Sequence, residues 1–339
     1  MTAHGHRFLF ARSACSDSAS NIVLGHYDLA LVAASWDARA EAITTAGSVS
    51  IETCILLRFT TKDEFGYQAK HEETLRKFLH HRARKVSDIE GDATMLDDLW
   101  PKLWQEATKV ADRCSRPLRV LVDISTCPRY YSLGLIAGLL KFGFARSVTV
   151  FYAEGIYKSD SVGQLLDVPF TVGQWNATAI PFLNGMPDAL KRKAYVVSVG
   201  FEGIKTARVL AREDPDRVSI LFPDPGSQPQ YVEETWNRNA EIIEQYRIPA
   251  EQIVRAPAGD AVAAWKALTK ANIERVESES VYYLCGGTKA HSLGLALRAL
   301  CVESSTVMYN LPARHTFVGV EPSGVFWTYK INDVTCPAD

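Results

Sequence analysis

The sequence has little that would tie it to a membrane or to a polyanion. Its longest apolar runs, near residues 133–140 and 55–59, are far shorter than the roughly 20 residues that span a bilayer. Residues 1–12 lack the apolar core of a signal peptide. Lysine and arginine total 37 against 39 acidic residues, so any anion site must be local. We expect a cytoplasmic protein with neither a membrane nor a long nucleic acid as partner.

Disulfide, zinc and common catalytic patterns are missing as well. The seven cysteines are scattered, with no Cys-x-x-Cys and no histidine pair at ligand spacing, which argues against a disulfide framework and a structural zinc site. Gly-x-Ser-x-Gly, His-Glu-x-x-His and carboxylate clusters with metal spacing are also missing. We therefore expect no metal and no cofactor, and the sequence leaves open whether the chain is an enzyme.

The chain instead contains two copies of one strand and helix pattern. Three short identities recur in the same order, on the same kind of predicted element. They are Glu-Glu-Thr at 72–74 and 233–235, Gly-Asp-Ala at 91–93 and 259–261, and Ser-Leu-Gly-Leu at 132–135 and 292–295. Their shared order favours an internal duplication over coincidence.

The strand pattern predicts the fold class. The predicted strands are short apolar runs without alternation, separated by helices, which is typical of parallel sheets covered on both faces. We predict an α/β fold of two tandem Rossmann-like parallel-sheet units related by internal duplication. The predicted boundaries are residues 1–158 for the N-terminal unit, 159–193 for a connector and 194–339 for the C-terminal unit. The connector shows no clear hydrophobic periodicity of a helix or strand. Its Trp175 and Phe182 predict that it is packed and not free in solvent.

Ligands of parallel sheets bind beyond the carboxyl ends of the strands, where helix N-termini attract anions. In the first half the best candidate is the turn after the strand 118–122, and its counterpart in the second half follows the strand 281–284. The candidate ligand-binding residues in these turns are Asp123, Ser125, Thr126 and Arg129, and Gly286, Gly287, Thr288 and Lys289. Paired glycines let backbone amides approach a phosphate. Arg129 aligns with Lys289, and a phosphate-bearing ligand that spans both halves needs a cation in each.

Helix capping explains part of the same pattern. Ser125 or Thr126 could cap the following helix, Pro128 could occupy its first turn, and the glycines could only make a turn. A cation beside a helix N-terminus costs about 0.3–1 kcal/mol unless an anion or a carboxylate offsets it. Asp123 could be that carboxylate in the first half.

Two further loops and three single residues are weaker candidates. Gly200 and Glu202 follow the first strand of the second half, where a tight strand-to-helix turn is the alternative. Asp224 follows the next strand and could accept from a ribose hydroxyl or a purine amine, or make an Asx turn. The remaining three, each with a structural alternative, are His291 and His315 for proton transfer and Cys127 as a nucleophile.

The motif Asp-x-Ser-x-x-x-Arg at 123–129, directly after the fourth strand of a Rossmann-like unit, resembles the ligand motif of CARF domains, and Gly-Gly-Thr-Lys at 286–289 is similar to a variant of it. Two fused units resemble the SAVED arrangement. Those families sense cyclic oligonucleotides in prokaryotic antiviral signalling, which implies a sensor that holds a nucleotide-type second messenger in a cleft between its halves. Tyr283 departs from the motif, standing where the first half has Asp123.

The chain has no recognisable effector nuclease or protease, so the resemblance implies a separate effector subunit as a protein partner. Two alternatives stay open. One is a metal-independent ring nuclease, or another nucleotide hydrolase, that uses the same cleft. The other is a scaffold subunit of a defence complex whose cleft has decayed.

Overall fold

The computed structural model describes residues 8–16, 25–60, 66–157, 171–275, 277–302, 304–315 and 320–333. They divide into two compact units. The first comprises the described residues of 8–157 together with 320–333, and the second those of 171–315. None of the helices within these ranges is both long and apolar enough to cross a bilayer.

The first unit is a seven-stranded sheet flanked by helices. Its strands are β1 (Phe8–Ser16), β2 (Gly25–Ala34), β3 (Val49–Phe59), β4 (Ala83–Gly91), β5 (Leu118–Asp123), β6 (Ala145–Tyr157) and β13 (Val320–Asp333). Its helices are α1 (Tyr67–Arg82), α2 (Leu96–Arg113) and α3 (Arg129–Lys141), with a 3-10 helix over Ala38–Thr45. The strand order is β1-β13-β6-β5-β2-β3-β4, and β13 runs antiparallel to both of its neighbours.

The second unit has a six-stranded sheet. Its strands are β7 (Thr171–Asn184), β8 (Arg192–Ser198), β9 (Arg217–Pro223), β10 (Ile253–Ala256), β11 (Glu279–Cys285) and β12 (Thr306–His315). Its helices are α4 (Gly203–Glu213), α5 (Pro229–Gln245), α6 (Ala261–Ala271) and α7 (Lys289–Cys301), with a 3-10 turn over Ala250–Gln252. The strand order is β10-β9-β8-β11-β12-β7, with only β7 antiparallel to its neighbour.

The central strands of each sheet are buried on both faces. The last eight residues of β2 are all buried, as are Val120, Leu121 and Val122 of β5. This is why these strands are continuous apolar runs without the polar alternation of a half-exposed strand. In the second unit Val197, Ile220 and Phe222 form the same kind of core.

The parallel strands of the two sheets follow the same order. When the five parallel strands of each unit are numbered in chain order, each sheet reads 3-2-1-4-5, which is a Rossmann-like order. The repeated tags lie on equivalent elements: Glu-Glu-Thr in α1 and α5, Gly-Asp-Ala where the chain passes from β4 to α2 and from β10 to α6, and Ser-Leu-Gly-Leu in α3 and α7. The α/β fold class with two Rossmann-like units is confirmed, and common origin by duplication stays a prediction.

The chain crosses between the units at different places from those predicted. Residues 171–184, assigned to the connector 159–193, form β7 and pair with β12. The strand β13, assigned to the C-terminal unit 194–339, lies in the first sheet between β1 and β6. A continuous boundary after residue 158 is therefore wrong, because the antiparallel strand beside β6 comes from the end of the chain rather than from the segment that follows it. The side chain of Trp175 lies outside the described residues.

Candidate functional site

The predicted turns lie where the strand order reverses in each unit. That reversal falls between β2 and β5 in the first sheet and between β8 and β11 in the second. Ligands of open parallel sheets bind at such points, beyond the carboxyl ends of the two strands. The turn at 124–128 follows β5 and the turn at 286–288 follows β11, so each belongs to the switch point of its own unit.

The polar residues at the end of β5 are buried and hold the turn together. One carboxylate oxygen of Asp123 accepts a hydrogen bond from the amide of Ser125 at 2.8 Å. The Ser125 hydroxyl is fully buried and accepts from the amide of Ala153 on β6 at 2.8 Å. Asp123 and Ser125 therefore shape the turn, and neither presents its polar group on the surface.

Thr126 and Pro128 of this turn, and Arg129 directly after it, are partly exposed. The Thr126 hydroxyl donates to the carbonyl of Ala33 at the end of β2, at 3.2 Å, and so joins the two strands of the switch point. Helix α3 begins at Arg129 with Pro128 at the cap position, and among the described residues no side chain caps it. The capping explanation therefore does not account for Ser125 or Thr126.

Arg129 also influences the next strand electrostatically. Burial raises the pKa of Tyr152 on β6 to about 12, and the positive charges of Arg39 and Arg129 oppose that rise. Both guanidinium groups therefore lie within electrostatic range of the Tyr152 phenol. A cation in this position opposes the helix dipole.

The glycine amides of the second turn bond within the protein. Gly286 donates to the carbonyl of Ser198 at 3.1 Å, and Gly287 donates to the Ser198 hydroxyl at 3.1 Å. A Cβ on Gly287 would lie 2.5 Å from the carbonyl oxygen of Val199, and one on Gly200 would lie 3.2 Å from the Cα of Gly287. The three glycines are therefore explained by the close approach of the loops after β8 and β11.

Thr288 caps helix α7, a role that the capping explanation had assigned only to Ser125 or Thr126 of the first turn. Its hydroxyl accepts from the amide of His291 at 3.1 Å and donates to the carbonyl of Ala258 at 2.7 Å. Lys289, partly exposed, is the first residue of the helix. It therefore occupies the same position in α7 that Arg129 occupies in α3.

Tyr283, the residue aligned with Asp123 in the sequence, lies inside β11 two residues before the strand ends and not at its end as Asp123 does in β5. Its side chain is buried within β11, and its hydroxyl donates to Glu274 at 2.8 Å. Burial and the neighbouring Glu274 charge raise the pKa of this phenol. The carboxylate that accepts from Tyr283 is that of Glu274, which lies outside β11 and is itself buried.

The loop after β8 is a tight strand-to-helix turn. Glu202 precedes α4 and forms an ion pair with the buried Lys205 one turn later. A Cβ on Gly203 would overlap the backbone of Arg238 in α5. Packing against α5 thus explains the glycine at the start of α4, and Glu202 is paired with a residue of the helix that it precedes.

Asp224 lies at the end of β9 and does not form the alternative Asx turn among the described residues. Its amide donates to the carbonyl of Ala256 at 2.9 Å, and its carboxylate accepts from Arg255 at 2.6 Å. Sequence reasoning missed Arg255. The available signal was an arginine inside the otherwise apolar strand Ile-Val-Arg-Ala at 253–256.

The candidate proton-transfer and nucleophile residues have structural roles or lie outside the description. His291 is fully buried, and its Nε2 donates to the carbonyl of Pro257 at 3.0 Å. Burial lowers its pKa to about 4, which keeps the ring neutral. Cys127 is fully buried, and the side chain of His315 lies outside the described residues.

We expect His291 to make stability depend on pH. Its pKa is about 4 in the fold and about 6.5 when unfolded, so the unfolded chain binds the proton more tightly. Its contribution is complete above pH 6.5 and decreases as pH falls towards 4, by about 1.4 kcal/mol per unit and about 3 kcal/mol in all. His291→Gln should flatten this part of the pH profile of the free energy of urea unfolding. Exposed His80→Gln is the control, and parallel profiles for wild type and His291→Gln would disprove the assignment.

No protein-family model and no curated protein matches the chain. Weak likeness to solved structures includes the following two. A functionally unknown protein from Pseudomonas aeruginosa PAO1 is 13% identical, with 84% of this chain and 93% of that chain covered and a TM-score of 0.23. The cytoplasmic domain of a prokaryotic cation chloride cotransporter is 10% identical, with 84% and 95% covered and a TM-score of 0.23. Neither likeness supports a functional assignment.

Proposed function

We propose that the protein binds a nucleotide-type second messenger and that Arg129 and Lys289 hold its phosphate groups. The observation that carries this proposal is the pair itself. Each cation is the first residue of the helix that follows the fourth parallel strand of its unit. Each opposes its helix dipole, and a bound anion would remove that cost and add a charge-assisted hydrogen bond.

The local chemistry suits an anion such as a phosphate and not a metal cation. Helix N-termini attract anions, and α3 lacks a side-chain cap among the described residues. Arg129 offers a planar set of donors and Lys289 a compact charge, both of which are used for phosphate. Each unit thus offers one phosphate site, and a cyclic oligonucleotide is the preferred candidate ligand.

The biological setting is part of the same proposal. The resemblance of residues 123–129 to the CARF ligand motif supports a cytoplasmic sensor in prokaryotic antiviral defence that acts on a separate effector subunit. The hydrolase alternative has less support, because the Ser125 hydroxyl is buried and the Thr288 hydroxyl caps a helix. The scaffold alternative draws its support from the internally bonded amides of Gly286 and Gly287.

The test is binding of synthetic cyclic di-, tri- and tetranucleotides by calorimetry. Arg129→Ala and Lys289→Ala should each weaken binding by about 1.5–3 kcal/mol, roughly 10- to 150-fold, because each removes a hydrogen bond to a charged group. The loss should be larger at low salt than at high salt. Lys141→Ala, at the exposed far end of α3, is the matched control and should bind as wild type does.

Other outcomes would identify the alternatives. Metal-free conversion of a cyclic oligonucleotide to linear product by wild type, abolished by Lys289→Ala, would replace the sensor with a ring nuclease. If the purified native protein carries no nucleotide and the titrations detect no binding, the scaffold alternative is favoured. Binding that both alanine variants retain would disprove the role of the cation pair.

A further inference from the structure

A groove in the second unit lies beside Asp224 and is not used by the two turns. It opens where β9 and β10 end against the first turns of α5, with a volume of about 360 Å³. Its lining residues are Phe222, Pro229, Val232, Glu233, Trp236 and Arg255. This volume falls within the usual range of small-molecule sites, about 300–1,000 Å³.

The groove places a planar cation beside two aromatic rings. Phe222 and Arg255 are paired neighbours on β9 and β10, so their side chains lie on one face of the sheet. The guanidinium carbon lies 5.0 Å from the centre of the Phe222 ring and 5.7 Å from that of Trp236. The two rings meet nearly edge to face, 5.7 Å apart. Phe222 is fully buried, whereas 36% of Trp236 is exposed.

Asp224 fixes the position of the cation. Its carboxylate accepts from one terminal nitrogen of Arg255 at 2.6 Å, and both side chains are more than one third exposed. An ion pair this exposed adds little to stability. Its main structural effect is to hold the guanidinium plane against the rings, with its other N–H donors left for a ligand.

We propose that this groove binds a nucleobase. The exposed indole offers a face on which a flat ring can stack, and arginine adds a cation–π and stacking contribution. The guanidinium can donate to ring nitrogen or carbonyl acceptors, while the carboxylates of Asp224 and Glu233 can accept from an exocyclic amine or a sugar hydroxyl. A stacking surface that carries both donors and acceptors matches a base better than a plain hydrocarbon.

The location links the groove to the phosphate site of the same unit, and this link rests on the proposed function. The strands β9, β8 and β11 are neighbours in the sheet. At about 4.8 Å per strand the ends of β9 and β11 are separated by about 10 Å. One sugar could therefore connect a base in the groove to a phosphate at Lys289.

Nucleosides test the groove separately, because they carry a base but no phosphate. Adenosine, guanosine, cytidine and uridine are titrated individually into the full chain and followed by saturation-transfer NMR and calorimetry. At least one should bind, with affinity reduced about tenfold or more by Trp236→Leu and by Arg255→Gln. Trp236→Phe should retain part of the affinity because it keeps an aromatic face. Exposed Asn237→Ala, next along α5 and outside the groove, is the control, and melting curves establish that each variant folds.

The two proposals fail differently. In the first case, cyclic oligonucleotides bind wild type and their binding depends on Arg129 and Lys289, but no nucleoside binds. If Trp236→Leu then binds the oligonucleotides as wild type does, the groove is not a base site and the sensor proposal stands. If a nucleoside binds and depends on Trp236, but no phosphate-bearing ligand binds more tightly than its nucleoside, the groove stands and the phosphate proposal falls. Nucleoside binding that both groove variants retain would place the base elsewhere.

Discussion

Glu279→Ala should destabilise the second unit by about 3–5 kcal/mol, because it leaves a buried guanidinium without its counter-ion. Glu279 begins β11 and its side chain is 2% exposed, paired with Arg217 at the start of β9. The Arg217 Nε donates to Glu279 at 2.9 Å, and its other nitrogens donate to Ser219 and to the carbonyl of Ile273 at 2.8 Å each. The measurement is the free energy of urea unfolding, followed by circular dichroism.

A double variant distinguishes the cost of leaving one buried charge unpaired from the cost of replacing the side chains themselves. Arg217→Leu combined with Glu279→Leu removes both charges and should be less destabilising than Glu279→Ala alone, because no charge is then left buried. Exposed Glu73, paired with Lys77 on α1, supplies the surface control, and Glu73→Ala should leave the unfolding midpoint unchanged. Equal midpoints for Glu279→Ala and Glu73→Ala would contradict the assigned role of the buried pair.

Gly203→Ala should cost about 3 kcal/mol, at the upper end of the usual cost of overpacking. The added Cβ would overlap the carbonyl oxygen of Arg238 and lie 2.8 Å from its carbonyl carbon, so α4 could not keep its approach to α5. Ile204→Ala at the next, 63% exposed position is the control and should have little effect. If both variants unfold at the same urea concentration, the close approach of these helices does not explain this glycine.

The central strands were predictable because burial on both faces leaves a continuous apolar signal. The predicted strands 118–122 and 281–284 correspond to Leu118–Asp123 and Glu279–Cys285. The antiparallel strands β1, β7 and β13 were missed, since the segments that form them lack such a run. Their partners also lie far along the chain, and no local pattern indicates such pairing.

The candidate site was predictable in position but not in detail. The two turns are where the fold class places them, with Arg129 and Lys289 each first in its helix. The turn after β5 has five residues, 124–128, and the one after β11 has three, 286–288. The longer turn moves Ser125 and Thr126 away from the cap position, whereas the shorter one leaves Thr288 on it. The sequence marked Arg255 as a cation in an apolar strand, but its aromatic partners were not predictable, because they depend on the register between β9 and β10.

The crossing of β7 and β13 has a consequence for dividing the chain. A fragment ending after β6 would lack β13, leaving β1 without its partner and β6 with one open edge. The remaining fragment would carry β13 without the sheet in which it pairs. Neither half is thus a self-sufficient folding module, but two co-expressed fragments could reassemble by strand complementation, because β13 would supply the missing strand in trans.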